Sequence, residues 1–143
     1  MSKAAEREEK MIGTLRQWQG LERQAIEETA KIMEETDNLL IRQVMEIIRN
    51  DSVQHHRVQQ FIIDSMTKEA LVLSREDMAD IFARLEEHDK LEKETIKIAN
   101  ELIKETRDPV HKLLLTYLVR DEEKHDQILM SLDELKTHLA KLA

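Results

Sequence analysis

The sequence predicts an all-α protein, built as an antiparallel four-helix bundle from two pseudo-repeated helical hairpins. Three observations carry that expectation. The 143 residues contain only two glycines, Gly13 and Gly20, and one proline, Pro109, which leaves little material for hairpin turns or a many-stranded sheet. Apolar residues recur at steps of three and four through most of the chain, the spacing of one helix face. The interruptions of that pattern are short and made of cap and turn residues, so consecutive helices run antiparallel.

The first helix is expected at about 3–35, with Met11, Leu15, Trp18, Ala25 and Ile32 along one stripe. Thr36-Asp37-Asn38 follows as a cap-and-turn tripeptide. The second helix, about 38–69, carries Ile41, Val44, Ile48, Val58 and Ile62. Residues 70–74 form the loosest connection, and Ser74-Arg75-Glu76-Asp77 supplies an N-cap with an acidic first turn. The third helix, about 75–106, rests on Ile81, Leu85, Ala99 and Leu102. Asp108-Pro109 is a start signal, a cap followed by proline at the first helical position. The fourth helix, about 109–141, carries Leu114, Leu118, Ile128, Leu132, Leu135 and Leu139. The whole chain is expected to form a single four-helix domain, 1–143, with each helix about 45 Å long at 1.5 Å per residue.

Composition narrows the chemistry. The absence of cysteine removes disulfides, thiolate zinc sites, iron–sulfur clusters and cysteine nucleophiles. The balance of 22 basic against 30 acidic residues, a net charge of −8, argues against a nucleic-acid partner, because phosphate neutralisation needs a basic patch. No apolar run reaches the roughly 18 residues of a membrane span. The charged segment Met1-Ser2-Lys3-Ala4-Ala5-Glu6-Arg7 has no signal-peptide character, so no membrane partner and a cytoplasmic location are expected.

Sliding the chain by 70 residues aligns its halves, with 11 of 73 overlapping positions identical. The identities include Glu22 with Glu92, Asp51 with Asp121, His55 with His125 and the turn residues Thr36 and Thr106. Several of these polar residues continue the apolar stripes. Leu15, Trp18, Glu22, Ala25 is one such run, and Leu85, His88, Glu92, Thr95 is its counterpart. Ile48, Asp51, His55, Val58 and Leu118, Asp121, His125, Ile128 are the other two, with Glu122 one turn before His125. Buried carboxylates must be paired or bind a cation. Either a closed Glu–His hydrogen-bonded network or one shared metal site at mid-bundle height satisfies them. For a metal, carboxylate and imidazole without thiolate suit iron or manganese, with zinc possible.

With these residues in place, the chain resembles the ferritin-like superfamily of di-iron and di-manganese carboxylate proteins, specifically the bundle part of rubrerythrin-like proteins. That family puts one Glu on each of its first and third helices and Glu-x-x-His on each of the second and fourth. Asp121-Glu122-Glu123-Lys124-His125 is similar to the family's Asp-Glu-x-x-His. The resemblance implies Glu122 as a bridging carboxylate, His125 as a terminal ligand, and Glu22 and Glu92 as terminal carboxylates. It implies Asp51 and Asp121 as outer acceptors that orient a ligand histidine. The second helix departs from the pattern. It reads Asp51-Ser52-Val53-Gln54-His55, with Ser52 where the bridging glutamate belongs. Glu22, His55, Glu92, Glu122 and His125 remain as candidate ligands for one metal, or for two with waters completing the coordination, and His88 is a candidate sixth.

The function implied by the resemblance is metal binding, with iron first, in an oxidase- or peroxidase-type reaction with a small oxidant or in iron handling. A homodimer is a family-level expectation. The alternative, motivated by Ser52, is a degenerate bundle without metal that acts as a structural or interaction module. His88-x-x-x-Glu92 also resembles a hemerythrin element, but the paired His-x-x-x-His of that family is missing.

Overall fold

A computed structural model describes residues 2–142, apart from the side chains of Met78 and residues 140–142. The protein is all-helical, with no strand among the described residues. The helices are α1 (Lys3–Glu35), α2 (Leu39–Thr67), α3 (Arg75–Asp80), α4 (Phe82–Glu105) and α5 (Pro109–Leu142). The chain forms two compact units that meet at Leu71 and Val72 in sequence. In the first, α1 packs on α2; in the second, α4 packs on α5 and the short α3 leads into α4. None of the described helices is long and apolar enough to cross a membrane.

Helix ends follow local chemistry. Ser2 caps α1 by accepting the Ala5 amide at 3.1 Å. Asn38 Oδ1 caps α2 through the Ile41 amide at 3.0 Å, and Asp108 Oδ1 accepts the Val110 amide at 2.8 Å at the start of α5. The two hairpin turns are built alike. Thr36 Oγ1 accepts the Asn38 amide at 3.1 Å, and Thr106 Oγ1 accepts the Asp108 amide at 3.3 Å. Each threonine closes a tight turn two residues before a cap, so the two connections have the same length and set the same antiparallel register.

The third predicted helix is divided at Ile81. Ser74 and Asp77 form a reciprocal capping box, and α3 ends after six residues. Ile81 keeps helical angles (φ −89°, ψ −38°), and its amide still bonds Asp77 O at 3.1 Å while Leu85 N bonds Ile81 O at 3.0 Å. The interruption is therefore a local loosening, and the apolar steps of Ile81 and Leu85 run across it unchanged.

A two-helix seam covers only a narrow arc of each helix, and the interior shows it. In the first unit Leu15 and Ile63 are buried together with Gln19, Glu22, Thr29, Ser52 and Gln59. In the second, Phe82 and Val119 are buried with Glu92. Many stripe residues, among them Trp18, Ile48, Leu118 and Ile128, stay exposed. The Lys136 ammonium lies 4.7 Å from the centre of the Phe82 ring and ties the late part of α5 to the start of α4.

The caps carry measurable stability. Asn38→Ala and Asp108→Ala are each expected to cost about 1 kcal/mol in urea denaturation with an unchanged slope. A loss below about 0.3 kcal/mol for both would show that the paired Thr-x-Asn and Thr-x-Asp turns do not hold the hairpins as described.

Candidate metal centre

The register fixed by the turns brings position 22 opposite 55 and position 92 opposite 125. In the first unit His55 Nδ1 lies 3.4 Å from Glu22 Oε1; in the second His125 Nδ1 lies 3.5 Å from Glu92 Oε2. Glu22 and Glu92 are each only 8% exposed. The repeat read from the sequence thus reappears as the same Glu–His pair inside each hairpin, with the glutamate equally buried in both.

Around that shared pair the two seams differ. In the first unit, Gln19 Nε2 donates to Gln60 Oε1 at 3.0 Å and to His56 O at 3.4 Å, and Gln60 Nε2 donates to Asp64 Oδ1 at 2.9 Å. That amide bond, helped by Lys68, holds the Asp64 carboxyl below the ordinary aspartate range. Ser52 is buried in this seam and Asp51 is half-buried beside it. Apart from Glu22, the buried polar residues here are neutral.

The second unit gathers carboxylates. Ligand atoms of Glu92, Glu122 and His125 lie within 4.8 Å of one another, close enough to share a cation. His88 Nε2 sits 2.8 Å from Glu92 Oε1, and Thr95 Oγ1 sits 3.1 Å from Glu122 Oε2. His125 Nε2 is 3.5 Å from Asp121 Oδ2, whose other oxygen is 2.8 Å from the Lys124 ammonium. Asp121 thus stands where an acceptor can orient the imidazole. Glu92 Oε2 is buried and accepts no hydrogen bond. His88 lies on the opposite oxygen of Glu92 and is outside the converging trio, while Glu22 and His55 belong to the other unit and face each other there.

Two aspartates extend the cluster, and the stripe reading did not single them out. Asp89 and Asp126 are close enough across α4 and α5 for one carboxyl to hydrogen-bond the other. Their signal was present in the sequence, because Asp89 lies one turn before Glu92 and Asp126 one turn after Glu122, on the same faces.

Each carboxyl pair divides its titration. A hydrogen bond from Glu122 holds Glu92 below the ordinary glutamate range against the opposing effect of burial, with His88 and His125 adding to it. The same bond, with burial, pushes Glu122 up. Asp126 likewise holds Asp89 down and is itself pushed up by Asp89 and by burial. Such a bond exists only while one partner carries a proton. With both ionised, Glu92 Oε2, Asp89 Oδ1 and Asp126 Oδ1 are buried acceptors without a donor. The donor set, carboxylate and imidazole without sulfur, suits iron, manganese or zinc, and a cation can replace the protons. No family model, curated protein or solved structure matches the chain.

The raised groups set a pH dependence for metal-free protein. Above the ordinary carboxylate range, folded Glu122 and Asp126 retain protons that the unfolded chain has released, so stability falls as pH rises toward their folded pKa values. Below that range the depressed Asp89 and Glu92 lose their contribution as pH falls. Thermal melts in chelator are expected to show Tm falling as pH rises above the ordinary carboxylate range, with the decline reduced in Asp126→Asn. Parallel curves for the two proteins would contradict the shared-proton description.

Proposed function

We propose that this chain is a ferritin-like metal–carboxylate protein whose cation is held by Glu92, Glu122 and His125. The observation that carries the reading is the trio of potential ligand atoms of Glu92, Glu122 and His125 within 4.8 Å of one another, with Glu92 Oε2 buried among them and accepting no hydrogen bond. A buried carboxylate oxygen that accepts no hydrogen bond is costly, and a divalent cation is a counter-charge this donor set accommodates. Iron is the proposed metal, with manganese and zinc as chemical alternatives. The four-helix ferritin-like arrangement is the architecture that this reading carries.

When bound, iron supplies redox chemistry toward dioxygen or peroxide, or is itself the material handled. The chain's residues do the rest. His88 hydrogen-bonds Glu92 Oε1 and leaves Oε2 free to face the ligand position. Thr95 steadies Glu122 through Oε2, and Asp121 orients the His125 ring from Nε2, leaving Nδ1 toward the two glutamates.

Buried Ser52 supports a second reading, a bundle that kept the fold and acts as a structural or interaction module. A hydroxyl supplies no charge, so the first hairpin lacks the Glu-x-x-His half of the pattern.

Metal content separates the two. Protein purified without chelator, or exposed anaerobically to ferrous iron, is expected to carry close to a full equivalent of transition metal or more. At one hundred times Kd, binding adds ~2.7 kcal/mol to stability and raises Tm. Glu122→Gln is expected to abolish most of that rise. Less than about a tenth of an equivalent, with no metal-dependent Tm, would leave only the structural module.

A further inference from the structure

The 70-residue repeat allows the two hairpins to be compared at facing positions. An antiparallel register that sets 22 opposite 55 also sets 25 opposite 52, and one that sets 92 opposite 125 also sets 95 opposite 122. The Glu–His pairs agree between the hairpins, and the next facing pair does not. It is Ala25 and Ser52 in the first, and Thr95 and Glu122 in the second. Both members have changed together. Half-buried Ala25 and buried Ser52 carry no charge. In the second hairpin the two positions hold a donor and a carboxylate, with Thr95 Oγ1 3.1 Å from Glu122 Oε2.

The same hydroxyl lies 2.7 Å from the backbone carbonyl of Glu92, on its own helix. Such back-bonding fixes a threonine side chain in a stiff rotamer. It is also found at Thr29 of α1, whose hydroxyl donates to Ala25 O at 2.7 Å and Ile26 O at 3.1 Å. Back-bonding is therefore common to both hairpins, and the reach across the seam to a carboxylate is a property of Thr95. Thr95 has one hydrogen for two acceptors, and an ionised carboxylate is the stronger of them.

Glu122 needs that contact. The terminal torsion of a glutamate is broad, so the plane of its carboxyl is set by what it touches. His125 Nδ1 is 3.9 Å from Oε2, too far for a hydrogen bond. Two ionised carboxylates sharing a cation have no hydrogen to exchange, so Glu92 does not orient Glu122 once an ion is in place. The Thr95 hydroxyl keeps its hydrogen and goes on donating.

We propose that Thr95 is a positioning residue of the cation site, whose hydroxyl holds Glu122 in its ligating orientation and refers two ligand residues on different helices to one atom. This rests on the metal–carboxylate reading above and adds a residue outside that reading's ligand set. It also gives the paired change at 25–52 and 95–122 a physical cause, because a donor is useful only opposite the carboxylate it orients.

Calorimetric titration of the full chain with Mn²⁺, with electron paramagnetic resonance of the bound ion, tests the assignment. Thr95→Val keeps the shape of the side chain and removes the hydroxyl. It is expected to weaken Mn²⁺ binding about tenfold, the lower end for an orienting contact because Thr95 is exposed. The zero-field splitting of the bound ion at saturation is expected to change as well. Thr95→Ser is expected to restore most of the affinity. Thr29→Val removes the matching back-bond from α1 and is expected to leave both readouts as in the wild type. Equal Kd and spectra for wild type and Thr95→Val, a Thr95→Ser variant as weak as Thr95→Val, or an equal loss in Thr29→Val overturns the positioning role and leaves the trio standing. A wild type that takes up no Mn²⁺ overturns the metal reading and this inference with it.

Discussion

Glu22 and Glu92 are carboxylates set into the seam between two helices, where a leucine would cost nothing. The rest of the molecule is arranged around the need to compensate them. Each is matched by a histidine 33 residues later, and both imidazoles approach through Nδ1, at 3.4 and 3.5 Å. That match depends on the turn between the helices. One residue more or less would rotate the partner helix face by about 100° and slide it about 1.5 Å, enough to remove the histidine from the seam. The Thr36 and Thr106 turns and the caps that follow them are alike because the register they enforce is the same.

On this common frame the hairpins have taken different chemistry. In the first seam Gln19 bonds Gln60 and the His56 carbonyl, and Gln60 bonds Asp64, while the buried Gln59 Oε1 is left without a partner. Its one buried charged group is Glu22, and buried Ser52 stands at the position that Glu122 takes in the second. The second seam concentrates acid, in two carboxyl pairs that each hold one member below and push the other above its ordinary range. Half-satisfied polar clusters are costly unless a cation or a proton completes them. Their presence in one hairpin and absence from the matching positions of the other is an asymmetry that packing needs do not explain.

Much of this was legible in the sequence. The helix spans follow from periodicity and caps because few other residues interrupt the chain, and Asp108-Pro109 and Ser74 mark starts that local hydrogen bonds confirm. The division at Ile81 was not legible, since a helix can loosen for one residue without any change in its apolar spacing. The inward placement of Glu22 and Glu92 was legible because each interrupts a stripe. Asp89 and Asp126 escaped because the stripe steps passed through His88 and His125, the residues directly beside them. Their significance appears only when two helices are placed together and the repeat is compared at positions that have diverged. The extent of the exposed apolar surface was equally hidden, because periodicity identifies a face and not the area that one neighbouring helix covers.

We propose that buried Glu92 and the carboxylate and imidazole beside it in the second hairpin hold a cation. The most direct test is anomalous X-ray scattering at the manganese edge from crystals of the full chain grown or soaked with Mn²⁺. The expected result is anomalous density between α4 and α5, bonded by Glu92, Glu122 and His125. A well-ordered seam with no anomalous density there, or density confined to exposed surface carboxylates, would contradict the account.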